Sequence, residues 1–189
     1  EWGKKRFLDR VCTLARLNHP NIVRVIAAFE ALGTAYYVMP WIEGQDLHRV
    51  APAATDITEE WLLPILRQLL EALEYLHSKD ILHRDIKPGN ILLREDGTPI
   101  LIEFLTSDKI NNEYEGPPIG FPHYSPPEHF THRGSCGPWT DLYSLGATCY
   151  RLITGETPPG ALDRFFNDPL PKLAANHEFR KRFSRKFLE

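Results

Sequence analysis

A polar segment, residues 83–90, lies between a pattern typical of a long core helix and a pattern typical of a short β-hairpin, and this order constrains the fold most. Leucines recur at helical spacing from Leu62 to Leu76, which predicts a helix with one face in the core. After the polar segment, two short apolar runs flank an Asp96-Gly97 turn, which predicts a hairpin. The polar segment is therefore expected at the junction of a core helix and a hairpin.

Capping residues and helix breakers predict the remaining elements. Thr58 is a suitable N-cap for the long helix, whereas Pro64 predicts a kink or a delayed first turn. A proline-rich stretch with little periodicity predicts a long functional loop. The other predicted elements are a helix over 7–17, strands over 22–26 and 35–39 joined by a turn over 31–34, the long loop over 105–138, a helix over 141–154 and a helix at 187–189.

Composition and charge exclude several classes of protein. The 189 residues are enough for one domain with a core. A net charge of -3 argues against a protein that binds nucleic acid mainly by charge. No apolar run approaches the roughly 18 residues that span a bilayer, and the polar start does not resemble a signal peptide. Because the sequence begins with Glu1 and has its single methionine at Met39, we expect a longer natural polypeptide.

The cysteines are three in number and widely spaced, at Cys12, Cys136 and Cys149. An odd number without a CxxC pair argues against a disulfide framework and against a cysteine metal site. We expect all three to be buried or half-buried thiols in a reducing compartment, and therefore predict a cytoplasmic location.

Three side chains of the polar segment have the chemistry that phosphoryl transfer needs. The Asp85 carboxylate can accept or orient the proton of an attacking hydroxyl group. The Lys87 ammonium can neutralise charge on a transferring phosphate, and the Asn90 amide oxygen can hold a magnesium ion. The alternative is that these residues only form the turn that precedes the hairpin.

Read as a whole, the segment His83-Arg84-Asp85-Ile86-Lys87-Pro88-Gly89-Asn90 resembles the catalytic loop of protein kinases. Six of its positions match that loop in order, which favours the catalytic interpretation over the turn. The resemblance extends over nearly the whole chain and is to eukaryotic-like serine/threonine kinases of bacterial type. Within the family, Lys87 favours serine/threonine over tyrosine specificity. Further matching segments are His19-Pro20-Asn21-Ile22-Val23, Pro126-Pro127-Glu128, and Asp141 with Tyr143-Ser144-Leu145-Gly146.

The resemblance implies an α+β fold of the protein-kinase type, with most of the helical large lobe and part of the small lobe. The implied division is a partial small lobe over 1–39, containing one helix and two strands, a hinge over 40–47, and a large lobe over 48–189. The large lobe is expected to be truncated at its C-terminal end, because the chain stops within a predicted helix.

The resemblance also implies the site residues, with ATP and Mg²⁺ as cofactors and a protein as substrate or partner. Asp85, Lys87 and Asn90 would be catalytic, and Asn90 with Glu103 would hold the metal ion. The nucleotide would contact Met39 at the back of the adenine pocket, the hinge residues Pro40 and Ile42, Leu92 beneath the adenine, and Lys87 at the phosphates.

Four departures from the family pattern bear on activity. No glycine-rich strand pair or strand-three lysine is present, and Arg10 stands where the family has a glutamate. The metal-binding Asp-Phe-Gly motif reads Glu103-Phe104-Leu105, and the arginine that pairs with Glu128 is absent, which leaves Glu128 either exposed or buried without a partner. We therefore expect weak or absent ATP binding and no useful catalysis from these residues alone.

Three functions remain open at this point. The chain is part of an ATP-dependent serine/threonine kinase, or it is part of a pseudokinase that acts as a scaffold or binding module. The third alternative is a decayed gene whose product has no function. The apolar pattern of the helices is compatible with it, since packing can outlast chemistry.

Overall fold

The computed structural model describes residues 2–50, 57–104, 108–109, 121–130 and 135–189. The helices are α1 (Trp2–Leu14), α2 (Leu47–Val50), α3 (Glu59–His77), α4 (Pro138–Thr154), α5 (Ala161–Phe166), α6 (His177–Arg182) and α7 (Arg185–Leu188). The strands are β1 (Ala27–Ala31), β2 (Thr34–Val38), β3 (Gln45–Asp46), β4 (Ile81–Leu82), β5 (Ile91–Leu93), β6 (Pro99–Leu101) and β7 (Asp108–Lys109). Helices and small antiparallel sheets share one apolar core, as the predicted α+β class requires.

Helix α3 is the central element of the core, as its leucine pattern predicts. The Thr58 hydroxyl accepts a hydrogen bond from the backbone N–H of Trp61 at 3.4 Å, which confirms the predicted N-cap. The first turn begins at Glu59, so Pro64 does not delay it; proline that near the N-terminus removes a single backbone hydrogen bond. The buried face consists of Leu62, Ile65, Leu69, Ala72, Leu73 and Leu76.

Two small sheets lie at the C-terminal end of α3 and enclose the polar segment. Strands β3, β5 and β6 form an antiparallel sheet, and β4 pairs with β7. The β5–β6 hairpin turns at Gly97, which has a φ of 82°, and this confirms the predicted turn. The predicted loop over 105–138 is not entirely irregular, because β7 lies within it. Residues 83–90 connect β4 to β5 and are therefore held at both ends by a strand.

The N-terminal hairpin of β1 and β2 lies against α1, but its first strand differs from the prediction. The turn residues Leu32 and Gly33 have φ values of 50° and 77°, a two-residue turn that fixes the pairing of β1 with β2. The strand predicted over 22–26 is wrong, because this register starts the strand at Ala27. Within 22–26, Ile22 makes only an isolated parallel bridge with Leu101.

Asn21 connects the N-terminal part to the rest of the molecule. Its side-chain amide donates to the carbonyl oxygen of Pro99 at 2.9 Å and to the side-chain oxygen of Gln68 at 3.0 Å. Asn21 is buried, and its bond to Pro99 lies out of water, where an unpaired amide is costly. One side chain thereby ties the segment after α1 to both β6 and α3.

Two general predictions meet different outcomes in the structure. None of the described helices is long and apolar enough to cross a membrane. All three cysteines are free thiols, but Cys12 is exposed, so its predicted burial is wrong; it lies on the outer side of α1. Burial raises the pKa of Cys149 to about 12, which makes that thiol unreactive near neutral pH.

Candidate active site

The backbone of the polar segment is held by the carboxylate of Asp141 on α4. Asp141 is fully buried and accepts hydrogen bonds from the backbone N–H of His83 at 3.0 Å and of Arg84 at 2.8 Å. The Nε2 atom of His77 lies 2.8 Å from the same carboxylate. Arg84 has a φ of 67°, a strained value for a residue with a side chain, and the charge-assisted bonds hold it there. Asp141 thus holds the start of the polar segment against α4.

The ring of His83 also contacts the backbone at two points, Asp85 within the polar segment and Ile102 after β6. Its Nε2 lies 3.1 Å from the carbonyl oxygen of Ile102, and its Nδ1 accepts from the backbone N–H of Asp85 at 3.3 Å. Burial lowers the pKa of His83 below its usual value, although Asp141 and Asp85 oppose this shift. The ring is therefore neutral at neutral pH, with its proton on Nε2 toward Ile102.

Asp85, Lys87 and Asn90 come together in one hydrogen-bonded group. The Lys87 ammonium donates to both carboxylate oxygens of Asp85, at 2.9 and 3.0 Å. The Asn90 amide donates to Asp85 Oδ2 at 2.7 Å and to the Asp85 carbonyl oxygen at 2.8 Å. No described residue donates a hydrogen bond to the side-chain oxygen of Asn90. Of the three residues predicted to be catalytic, Lys87 and Asn90 thus both contact the carboxylate of Asp85. The side-chain oxygen of Asn90 is left for a cation.

The Lys87 ammonium also contacts an aromatic ring. Its Nζ lies 3.3 Å from the centroid of the Phe121 ring, a cation–π contact. Sequence analysis missed Phe121, because 34 residues separate it from Lys87 and no spacing rule relates the two.

The residues predicted to contact a nucleotide lie along the chain between β2 and β3 and on β5. Met39, Ile42 and Leu92 are half-buried and pack against the core, whereas Pro40 is exposed. Within the described ranges, neither the carbonyl of Pro40 nor the backbone N–H and carbonyl of Ile42 has a hydrogen-bond partner. The side chains therefore offer apolar surface, and the backbone offers donors and acceptors to a planar heterocycle.

Phe104 and Arg10 meet at a small apolar cavity between α1 and the hairpin. The cavity measures about 10 Å³, and its lining includes Phe7, Arg10, Tyr37 and Phe104. The Phe104 ring is buried and lies 4.5 Å from the His83 ring, centroid to centroid. The side chains of Arg10, Phe104 and His83 thus connect helix α1 to the polar segment.

Glu103, the other predicted metal ligand, precedes Phe104 with a φ of 64°. Burial raises the pKa of Tyr37 on β2, and the negative charge of Glu103 adds to that shift. Leu105, the third residue of the altered motif, lies outside the described residues.

A protein kinase domain model matches residues 1–169 of this chain. The chain belongs to the protein kinase family. Curated relatives within it include the serine/threonine-protein kinase RUNKEL of Arabidopsis thaliana, which is 33% identical over 182 residues, covering 92% of this chain and 13% of that protein. Serine/threonine-protein kinase C of Synechocystis is 36% identical over 168 residues, covering 83% of this chain and 31% of that protein.

Two further comparisons agree with this family. The DNA damage-responsive serine/threonine-protein kinase RqkA of Deinococcus radiodurans is 34% identical over 170 residues, covering 84% of this chain and 25% of that protein. The solved structure titled PpkA-294 apo form superposes with a TM-score of 0.80 and 28% identity, covering 99% of this chain and 66% of that chain. The kinase-like fold and the serine/threonine kinase family are therefore established, and the chain spans 13% to 31% of the three curated relatives' length.

Kinases use ATP with Mg²⁺, and the donor chemistry of this site fits both. An amide oxygen from Asn90 and a carboxylate from Glu103 are the oxygen ligands that Mg²⁺ takes from proteins, which usually supply only one or two carboxylates. Among the described residues, no group of three or more histidine, cysteine or acidic side chains could hold a metal ion by itself. By donor type, the side chains of Asn90 and Glu103 therefore fit an Mg²⁺ ion.

The short 3₁₀ turn Pro127–Phe130 contacts the start of α4. Glu128 is half-buried and accepts a hydrogen bond from the Thr140 hydroxyl at 2.9 Å, so it is neither an exposed acid nor a buried acid without a partner. The next residue, His129, is buried, and neither of its ring nitrogens has a hydrogen-bond partner in the described part of the chain. Burial and the positive charge of Arg84 lower the pKa of His129 to about 4. Sequence patterns gave no signal for this buried histidine.

Proposed function

We propose that the kinase domain containing these residues transfers a phosphoryl group from ATP to serine or threonine hydroxyl groups of a protein. The observation that carries this proposal is the contact of both Lys87 and Asn90 with the Asp85 carboxylate within 3.0 Å. A turn that only preceded a hairpin would not need a buried carboxylate to hold its backbone, as Asp141 does here.

Each residue of the group has one proposed task. The Asp85 carboxylate orients the acceptor hydroxyl and takes its proton, while Lys87 donates to an oxygen of the transferring phosphate. Asn90 and Glu103 hold Mg²⁺, which when bound with ATP offsets the negative charge that the phosphates carry into the site. Because Lys87 already contacts Asp85, the same ammonium would bring the base and the phosphate close together.

The nucleotide contacts and the lobe division are part of the same proposal. Met39 and Leu92 enclose the adenine, Pro40 and Ile42 bind its edge through backbone groups, and Lys87 reaches the phosphates. The backbone groups of Pro40 and Ile42, which have no hydrogen-bond partner among the described residues, support this assignment. Residues 1–39 form part of a small lobe, residues 40–47 the hinge and residues 48–189 part of a large lobe. A cytoplasmic location stays a prediction that rests on the cysteines.

A scaffold without phosphotransfer is the second candidate, and the altered residues favour it. Arg10 places a cation on α1 where kinases use a glutamate, and it lines the cavity beside Phe104. Glu103 is one methylene longer than aspartate, which displaces its carboxylate by about 1.5 Å, and displacements of this size cost about 100-fold in rate.

Phosphotransfer by the natural polypeptide that carries these residues distinguishes the two candidates. The polypeptide is incubated with radiolabelled ATP, Mg²⁺ and dephosphorylated casein, and label is counted on casein and on the polypeptide itself. We expect incorporation that Asp85→Asn lowers by at least about 100-fold, since general-base catalysis contributes factors of this size. The matched control Asp163→Asn, an exposed aspartate on α5, should leave the rate unchanged.

Absence of label in the parent, or label that Asp85→Asn does not reduce, contradicts the proposal. A variant with Arg10→Glu, Glu103→Asp and Leu105→Gly then identifies the cause. If this variant labels casein and the parent does not, the parent is a degenerate kinase and the scaffold function takes precedence.

A further inference from the structure

Phe121 covers the side of the Lys87 ammonium that Asp85 leaves open. The Nζ atom lies 3.3 Å from the ring centroid, so it sits over the ring face and not at its edge. On its other side, the same nitrogen donates to both oxygens of Asp85. We propose that the Phe121 ring is a removable cap, which competes with phosphate oxygens for the Lys87 ammonium.

The donor count explains why the ring and a phosphate exclude one another. An ammonium group has three N–H bonds, and two of those of Lys87 point to the Asp85 oxygens. One N–H is therefore left for a further acceptor, and the face of the Phe121 ring lies 3.3 Å from the same nitrogen. A phosphate oxygen can approach that hydrogen only when the ring has moved away.

The backbone beneath the ring is fixed, so only the ring has to move. The backbone N–H of Phe121 donates to the Ser125 hydroxyl at 3.0 Å, and its carbonyl accepts from the N–H groups of Tyr124 and Ser125, both at 2.9 Å. The carbonyl of the following residue, Pro122, accepts from the N–H of Ala161 on α5 at 3.2 Å. These bonds hold the Cα of Phe121 beside Lys87 whichever way the ring points.

The ring itself is free to turn because it belongs to no core. Phe121 is 50% exposed, whereas the side chains of Lys87 and Asp85 are 19% and 17% exposed. Rotation of the ring about its Cα–Cβ bond therefore exposes the ion pair and forfeits one cation–π contact, with no loss of core packing. The site has a closed state, with the ring on Lys87, and an open state that phosphate stabilises.

The closed state has a signature that needs neither nucleotide nor turnover. In the full chain with isotope-labelled lysine, the ring current of Phe121 should shift the ε-methylene resonance of Lys87 upfield, with Lys87→Arg identifying that resonance. Phe121→Leu should abolish the shift and Phe121→Tyr should retain it. Phe29→Leu removes a phenyl ring that is 48% exposed on β1 and stacked on Tyr36, and it should leave the resonance unchanged. An unshifted parent resonance overturns the proposal.

Competition with an anion tests whether the cap is removable. Inorganic triphosphate is the probe, and its dissociation constant is read from the same resonance. We expect Phe121→Leu to bind the probe about 2- to 30-fold more tightly than the parent, the range that cation–π strengths correspond to. Phe121→Tyr and Phe29→Leu should retain the parental constant, and saturation of the parent should remove the upfield shift. Equal constants for the parent and Phe121→Leu, including no binding to either, overturn the proposal.

The identity of the competing anion as phosphate rests on the proposed function, but these measurements do not. If no phosphotransfer occurs and the ring-current shift and the affinity difference are still observed, the cap stands and the kinase activity fails. If phosphotransfer occurs and Phe121→Leu changes neither measurement, the kinase activity stands and the cap fails.

Discussion

Asp141 accepts two backbone N–H groups and lies beside a histidine nitrogen, with no exposure to water. An asparagine there offers one oxygen in place of two and points an NH₂ group at N–H donors. We expect Asp141→Asn to lower the free energy of unfolding by about 3 kcal/mol or more, because buried donors lose their acceptor. Urea denaturation at neutral pH measures this loss.

Asp9→Asn is the control for that change. Asp9 is exposed on α1, and its neutralisation should alter stability by less than about 0.5 kcal/mol. Equal effects of the two substitutions would show that the Asp141 carboxylate does not hold the catalytic segment.

His129 makes the stability of the fold depend on pH. Its pKa falls from 6.5 to about 4 in the folded protein, because of burial first and the Arg84 charge second, while Asp141 acts in the opposite direction. The unfolded chain therefore binds a proton between these values and the folded chain does not. Stability is complete above pH 6.5 and falls as pH drops toward 4, by about 3 kcal/mol in total.

Replacement of His129 by leucine should remove that part of the acid sensitivity. Leucine cannot bind a proton, and it also removes two buried nitrogens that lack hydrogen-bond partners among the described residues. Unfolding free energies at several pH values from 7 to 4 measure the slope, which should be shallower in His129→Leu. His48→Leu, at an exposed position on α2, should retain the parental slope. A parental slope in His129→Leu contradicts this account.

At the scale of elements, a glycine inside α4 and the glycine that caps its C-terminal end should respond in opposite ways to the same substitution. Gly155 ends the helix with a φ of 76°, in the left-handed region where a Cβ is unfavourable. Gly146 lies in the helix interior, on an exposed side, and a Cβ added there meets no atom within 4 Å. Gly155→Ala should therefore destabilise the protein by about 1 kcal/mol. Gly146→Ala should stabilise it by a similar amount, about 1 kcal/mol.

Calorimetric melting temperatures of the two variants test this contrast. The melting temperature should fall for Gly155→Ala and rise for Gly146→Ala. Changes of the same sign would mean that the conformation at the end of α4 does not determine the effect.

At the scale of the whole molecule, Arg182 joins segments that are distant in sequence. Its guanidinium donates to the carbonyl of Ile57 at 2.9 Å, before α3, and to the carbonyl of Ile153 at 3.0 Å, near the end of α4. The rings of Phe179 and Phe183 lie 5.7 and 5.4 Å from its guanidinium carbon. Arg182 thereby helps to attach the C-terminal helices to the core helices.

Arg182→Met should lower the free energy of unfolding by about 2 to 4 kcal/mol, since two charge-assisted hydrogen bonds to backbone carbonyls are lost. The methionine retains much of the apolar contact with the two phenylalanines. Arg180→Met, at an exposed position two residues earlier on α6, should change stability by less than about 0.5 kcal/mol. Urea denaturation compares the two variants, and equal losses would contradict the role assigned to Arg182.

Sequence patterns predicted the parts of the fold that local interactions determine. The leucine spacing and the Thr58 cap identified α3, and the Asp96-Gly97 turn identified the β5–β6 hairpin. The members of the catalytic segment are close in the chain, so their chemistry and spacing identified Asp85, Lys87 and Asn90 together. The first strand of the N-terminal hairpin was placed wrongly, because the buried β-branched residues Ile22, Val23 and Val25 suit a core coil as well as a strand.

The family, the order of the main helices and the residues of the polar segment follow from the sequence, because each depends on neighbours within a few positions. Only the folded structure brings Phe121 over Lys87, buries His129 beside Arg84 and joins the segment before α3 to α4 through Arg182. These contacts join residues tens of positions apart, and they exist only because packing of the core brings their elements together.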